Sequence, residues 1–161
     1  MCAAGIEFEV AELLEQKKLH VTTAESCTGG LIAGTLVNVP GISGWFGEGY
    51  VTYSNEAKEK LLGVSHVTLT TYGAVSAETA GEMARGAADA AGADAAVAVT
   101  GIAGPDGGTE EKPVGLVYIG CYCKGNVCVE KHVFSGDRIQ VRTQTVYAAL
   151  QLLKTMLEQV S

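Results

Sequence analysis

The chain has 161 residues, 47% of them hydrophobic, with 18 acidic against 11 basic side chains and a formal net charge of −7. That length matches one domain, and the apolar content is too high for a disordered chain. The acidic balance holds no basic stripe of the kind that tracks a nucleic-acid backbone, and no apolar run reaches a membrane span.

The start, Met1-Cys2-Ala3-Ala4-Gly5, lacks the basic region and apolar core of a secretion signal. Ile6, Val10, Leu13, Leu14 and Lys17 keep helical spacing, which predicts a helix over 6–18 with Lys17-Lys18 complementing its end. Leu19 to Glu25 reads as the first strand. A tight turn at Ser26 then leads into an apolar helix, opened by Thr28, Gly29 and Gly30, that runs to about Val39 and stops before Pro40. Ile42 to Tyr53 carries Trp45, Phe46, Tyr50, Val51 and Tyr53 and reads as a strand. Ser54-Asn55-Glu56 caps a short helix ending near Gly63, and His66 to Thr71 is expected to be irregular or extended.

Ser76 caps the next helix, with Thr79 close to capping-box spacing. Its many alanines and glycines, from Ala80 to Ala91, let a helix lie close to a sheet. Ala95 to Thr100 reads as a buried strand bounded by Asp94 and Gly101. It feeds a glycine-rich loop, Thr100 to Gly108. Val114 to Lys124 and Val127 to Phe134 form a hairpin. The last helix starts at Asp137, and Ile139, Val146, Leu150, Leu153, Leu157 and Val160 mark its inner face. Helices alternating with strands, plus one hairpin, imply an α/β domain over 1–161, with a mixed sheet and helices on both faces.

Five cysteines, Cys2, Cys27, Cys121, Cys123 and Cys128, are an odd number for a disulfide framework and point to a reducing, cytoplasmic setting. A two-residue turn at Gly125-Asn126 would set Cys123 against Cys128. No metal-ligand cluster is legible, and His20, His66 and His132 sit in unrelated contexts with no Ser-His-Asp pattern.

Two stretches carry chemistry. Ser26 stands at a helix start, where unpaired backbone N–H groups favour a phosphate or the oxyanion of acyl transfer. A serine held there is a candidate nucleophile; the alternative is that Ser26 or Thr28 only caps the helix. Lys58 falls in the first turn of the helix after Tyr53-Ser54-Asn55. The helix dipole disfavours a cation there, and desolvation would push its pKa the same way, so a neutral amine can take the serine proton. The alternative is a solvated lysine beside Glu56 and Glu59. Both segments and the glycine-rich loop follow strands, so they can share one crevice at the carboxyl ends of the sheet. The loop lacks a nucleotide P-loop ending, and it is either an anion cradle through Thr100, Gly101, Gly104 and Gly107 or a plain wide turn. Arg138 and Arg142, four apart, share a helix face and suit phosphate, unless they are simply exposed.

Several motifs occur in order: Ala24-Glu25-Ser26-Cys27-Thr28-Gly29-Gly30; Tyr53-Ser54-Asn55 with Lys58; Gly73-Ala74-Val75-Ser76; Thr100-Gly101-Ile102-Ala103-Gly104-Pro105 with Gly107-Gly108; Lys112-Pro113-Val114-Gly115; and Phe134-Ser135-Gly136-Asp137-Arg138 with Arg142. Together they resemble the CinA C-terminal domain family, named for competence/damage-inducible protein A, over nearly the whole chain. The resemblance implies a three-layer α/β/α fold. It implies nicotinamide mononucleotide amidohydrolase activity, giving nicotinate mononucleotide and ammonia in bacterial pyridine-nucleotide recycling. The family's nucleophilic serine maps to Ser26 and its lysine to Lys58, with Tyr53 in the same motif as an assistant. The oxyanion is expected on N–H groups of Thr28 to Gly30 or of the glycine-rich loop, and the substrate phosphate on Arg142, Arg138 and that loop. No metal or organic cofactor is expected. The partner is the small nucleotide substrate, not nucleic acid or membrane, and a homodimer is expected because dimers are the common case. Some members carry an extra N-terminal domain with pyrophosphatase activity, which is not expected here. The alternatives are a non-catalytic nucleotide-binding module and an amidase for another amide.

Overall fold

β3, Ala95–Gly101, is buried along its length up to Thr100, so both of its faces must be covered. It alternates Val97 and Val99 on one face with Ala96 and Ala98 on the other. In this computed structural model, which describes residues 5–161, β1 (Val21–Glu25) lies parallel to β3 on one side, from Val21 opposite Ala95 to Glu25 opposite Val99. β4 (Leu116–Cys123) lies antiparallel on the other side, and β5 (Asn126–Val133) returns antiparallel to β4. β2 (Tyr50–Val51) adds a short parallel edge to β1. The result is a five-stranded mixed sheet in the order β2-β1-β3-β4-β5. Cys2 and the rest of the stretch read for a secretion signal, up to Ala4, lie outside the described residues.

The valine face packs on α1 (Ile6–Lys17), α2 (Leu31–Leu36) and α6 (Arg138–Glu158) through Val10, Leu14, Ile32, Leu36, Leu150 and Leu153. The alanine face packs on α3 (Asn55–Leu62), α4 (His66–Tyr72) and α5 (Ala77–Ala91) through Leu62, Leu69, Met83, Ala84 and Ala87. This is the three-layer α/β/α sandwich expected. The small residues of α5 do bring backbones together. A Cβ on Gly120 of β4 would sit 2.4 Å from the Ala80 carbonyl oxygen, and one on Gly86 would sit 1.8 Å from that of Leu62.

Several elements differ from their sequence reading. α2 opens only after Gly29 and Gly30, whose φ of 59° and 106° take the left-handed conformation, and it ends at Leu36 rather than near Val39. Ile42 to Tyr53 is not a strand: Ile42–Gly44 is a 3₁₀ turn, Phe46 makes one isolated bridge to Val21, and only Tyr50–Val51 joins the sheet. Gly41, Gly44, Gly47 and Gly49 break the extended run, and Trp45 and Phe46 pack on the core instead. His66 to Thr71 is helical in α4. Glu82 of α5 accepts from the Ser65 N–H and the Thr68 hydroxyl, which satisfies the helix start, and Leu69 is buried beneath it. Thr79 completes no capping box, because its hydroxyl turns to the Gly73 carbonyl.

On α6, Asp137 and Gln140 form a reciprocal cap, but Ile139 is 71% exposed. It lines an open hollow with Ser135, Gly136 and Gln144, so helical spacing overstates the buried face at the helix start. The inner face runs instead from Val141 through Ala149 to Leu157, and Val160 lies past the helix end. The hairpin turn is Lys124-Gly125, both left-handed, one residue earlier than read. Cys121 therefore faces Cys128, Cys123 faces Asn126, and the described cysteines are free. Among the described residues, no helix is long and apolar enough to cross a membrane.

Candidate active site

Ser26 is the residue at which β1 leaves the sheet; its N–H still reaches the Val99 carbonyl at 3.2 Å. Across the same end of the sheet, Thr52 follows β2 and Ser54 caps α3 by accepting from the Ala57 N–H. One turn in, Lys58 swings back rather than outward. Its Nζ lies 3.1 Å from Ser26 Oγ and donates to the Thr52 carbonyl at 2.8 Å. Lys58 is 2% exposed, which overturns the solvated-lysine alternative, and among the described residues no carboxylate pairs with it. Burial without a counter-ion holds its pKa below the ordinary lysine value, and the neighbouring Cys27 opposes this only in part. A neutral amine has two N–H groups and one lone pair. With one N–H on the Thr52 carbonyl, the lone pair is free to accept the Ser26 hydroxyl proton.

Cys27 is the rival nucleophile by position. Burial pushes its thiol up to about 11, so it stays protonated near neutral pH and falls out of contention.

The turn after Ser26 is not an open anion site at α2. The carboxylate of Glu25, wholly buried, accepts from the Thr28 hydroxyl at 2.6 Å and from the N–H groups of Ile32 and Ala33 at 2.8 and 3.0 Å. Gly29 N–H is spent on the Ser26 carbonyl. Thr28 thus holds Glu25, and Gly29 and Gly30 supply the left-handed bend. Arg142 stands behind this turn, its Nε and Nη2 donating to the carbonyls of Cys27 and Thr28.

A cleft of about 210 Å³ opens over Ser26 and Lys58, walled by Tyr53, Asn55, Thr100, Gly101 and Arg138. Larger hollows exist, such as that beside Ile139, but its lining holds no titratable group. Thr100 donates to the Ala74 carbonyl, which sets the floor of the cleft. Arg138 crosses the rim: one nitrogen donates to the Gly104 carbonyl at 2.9 Å, the other to the Tyr53 hydroxyl at 3.0 Å. Gly104, at φ 82°, has no room for a side chain, because a Cβ would meet Val114 at 2.4 Å. Gly107 bends the loop beyond the cleft wall. So Ser26, Lys58, Tyr53, Thr100, Gly101 and Arg138 come together, with Gly104 tied to the rim, while Arg142, Thr28, Gly29 and Gly30 build the turn beneath. Sequence reading passed over Glu25 and Asn55. Both stand inside the motifs quoted above, and a lone carboxylate one residue before the turn was the available signal for Glu25.

The CinA C-terminal domain family matches residues 3–157. A Clostridium beijerinckii protein named for competence-damage induction is 57% identical over 153 residues, which cover 95% of this chain and 37% of that one. A CinA-like protein of Kosmotoga olearia is 52% identical with the same coverage. The chain thus spans little more than a third of the length of these relatives. Among solved structures, the competence/damage inducible protein CihA of Agrobacterium tumefaciens matches with a TM-score of 0.89 at 46% identity, over 99% of both chains. The competence damage-inducible protein A of Klebsiella pneumoniae matches with a TM-score of 0.93 at 37% identity, over 97% of both.

Proposed function

The chain belongs to the CinA C-terminal domain family, and from that premise and the geometry of the cleft we propose that it hydrolyses the carboxamide of nicotinamide mononucleotide to nicotinate mononucleotide and ammonia. The observation that carries this reading is the buried Lys58 amine, without a counter-ion, 3.1 Å from the Ser26 hydroxyl. Such a pair activates a serine for acyl transfer without a histidine.

Lys58 takes the Ser26 proton as Oγ bonds to the carboxamide carbon. The tetrahedral adduct collapses as the C–N bond breaks, and Lys58 returns the proton to the departing nitrogen as ammonia. Water then attacks the nicotinoyl ester, Lys58 takes its proton, and Ser26 recovers its hydrogen as nicotinate leaves. The 210 Å³ cleft suits a single ring-sized group, so the pyridine enters and the ribose phosphate stays at the rim. There Arg138 is the guanidinium within reach, with Tyr53 beside it. Arg138 lines the cleft and Arg142 does not, being held on the Cys27 and Thr28 carbonyls, so Arg138 is the better phosphate ligand.

Ammonia release from nicotinamide mononucleotide by the wild type, Ser26→Ala and Lys58→Ala tests the reading. Turnover by the wild type and its loss in both variants is expected. Undiminished turnover in Ser26→Ala removes the mechanism. Binding without ammonia removes the enzyme, and faster hydrolysis of another amide in an equimolar panel replaces the substrate.

A further inference from the structure

Most of the carbonyls and N–H groups in the turn after Ser26 have a partner. The Ser26 N–H goes to Val99, the Gly29 N–H to the Ser26 carbonyl and the Leu31 N–H to the Thr28 carbonyl. The Ile32 and Ala33 N–H groups go to the Glu25 carboxylate, and the carbonyls of Cys27 and Thr28 take Arg142. Three N–H groups then have no acceptor on another residue among the described residues: those of Thr28, Gly30 and Cys27, the last facing only its own thiol. Cys27 and Thr28 are 5% and 0% exposed. Buried N–H groups with no partner are rare in folded proteins and call for an explanation. Cys27 also lines the cleft, directly after the nucleophile. That is where an oxyanion donor stands when a serine sits on a strand-to-helix turn.

We infer that Glu25 and Arg142 are positioning residues that clamp this turn from its two sides and hold the Cys27 N–H group, the one of the three on a residue that lines the cleft, toward the oxyanion. The division of labour follows from chemistry. A carboxylate only accepts, so Glu25 removes the turn's competing donors, including the Thr28 hydroxyl. A guanidinium only donates, so Arg142 removes its acceptors. Without Arg142, the Cys27 carbonyl would be free to rotate toward the cleft and repel the developing negative charge, while the Thr28 carbonyl would keep the Leu31 N–H. Glu25 reaches the base as well. Its own carbonyl accepts from the Thr52 N–H at 2.8 Å, and the Thr52 carbonyl in turn holds Lys58. One residue thus registers both members of the pair.

This inference rests on Ser26 being the nucleophile, and the test separates the two. Glu25→Gln keeps the shape but leaves one acceptor oxygen, so an amide donor faces either the Ile32 or the Ala33 N–H group. Thr28→Val removes a single bond at constant volume, and Arg142→Lys cannot span both carbonyls. Two readouts are taken on protein whose circular dichroism and melting confirm folding. One is kcat and KM for ammonia release from nicotinamide mononucleotide. The other is the rate at which an aryl fluorophosphonate labels Ser26, where the Oγ–P bond forms, P–F breaks, fluoride leaves and the proton passes to Lys58.

Loss of one oxyanion donor lowers kcat by about 10²–10³-fold, so Glu25→Gln is expected to lose about 10²-fold and the other two variants roughly tenfold, with KM little changed and labelling slowed in parallel. A merely structural role lowers the melting temperature and leaves kcat and labelling of the folded protein at wild-type values, which overturns the inference. If Glu25→Gln does not fold, Thr28→Val and Arg142→Lys decide. If the wild type is labelled at Ser26 but releases no ammonia, the substrate reading fails while the labelling series still judges the clamp. If the wild type is neither labelled nor active, Ser26 is no nucleophile and both fall.

Discussion

The turn after β1 and the loop after β3 leave the same end of the sheet on neighbouring parallel strands, yet they are held in opposite ways. The first is buried at Cys27 and Thr28 and braced by Glu25 and Arg142. The second is exposed from Pro105 to Gly108 and tied at scattered points, by Arg138 on the Gly104 carbonyl and by Lys112 on the Tyr72 carbonyl. Reacting atoms need positions good to a fraction of an ångström, and the turn supplies that for Ser26. Under the proposed function, a nucleotide's outer groups need only a compatible rim, which is the part assigned to the loop. Changes on the turn side should therefore cut kcat, and changes on the loop side should move KM.

The largest effect expected is from Lys58→Met. With the base gone, kcat/KM falls by on the order of 10⁴-fold or more. The fold does not suffer, because an apolar chain replaces a buried amine that lacks a counter-ion. The same burial gives a pH signature. The folded chain binds fewer protons than the unfolded one between the depressed Lys58 pKa and the ordinary value of 10.5. Wild-type stability measured against Lys58→Met therefore rises with pH through that window and is lost as pH falls through the depressed pKa, which denaturant melts at several pH values read. The kcat/KM profile climbs over the Lys58 titration as the amine becomes neutral.

Next come two glycines that sharpen the contrast by distance from the pair. Gly86→Ala drives a Cβ into the Leu62 carbonyl at the end of α3, the helix that carries Lys58. It should destabilise by about 1–3 kcal/mol and also lower kcat in the folded fraction. Gly120→Ala presses on Ala80 of α5, away from the cleft, and should lower stability by a similar amount with kcat unchanged. The smallest effect expected is on the loop side. Arg138→Ala frees Tyr53 and the Gly104 carbonyl and should raise KM for the phosphorylated substrate about tenfold with little change in kcat, since a charge-assisted bond is worth roughly 1.5–3 kcal/mol before solvent screening. A large kcat loss there would erase the contrast between turn and loop.

Much of this was legible in the residues. The strand, the turn at Ser26 and the capped helix with Lys58 in its first turn are local patterns, and the crevice follows from both lying after strands. The alanines and glycines of α5 foretold its close approach to the sheet, while the contact of Gly86 with Leu62 of α3 was not read from them. What was not legible depended on partners distant in sequence. Glu25 folds its carboxylate onto residues seven and eight positions ahead, which no periodicity encodes. The β-branched run Val67-Thr68-Thr70-Thr71 favours extension, but Glu82 and the burial of Leu69 make it α4. Trp45, Phe46 and Tyr50 favour a strand, but the glycines between them bend the chain so that two rings serve the core. The cysteine register hung on which residues accepted left-handed φ, and Lys124 took the place expected of Asn126.

The central claim is that Lys58 is uncharged when Ser26 reacts. Nuclear magnetic resonance of the lysine ¹³Cε and ¹⁵Nζ signals, assigned by Lys58→Met, follows that amine directly across pH. An amine titrating well below the other lysines, in the wild type and in Ser26→Ala, is the result predicted. A Lys58 signal that titrates with the exposed lysines would contradict it.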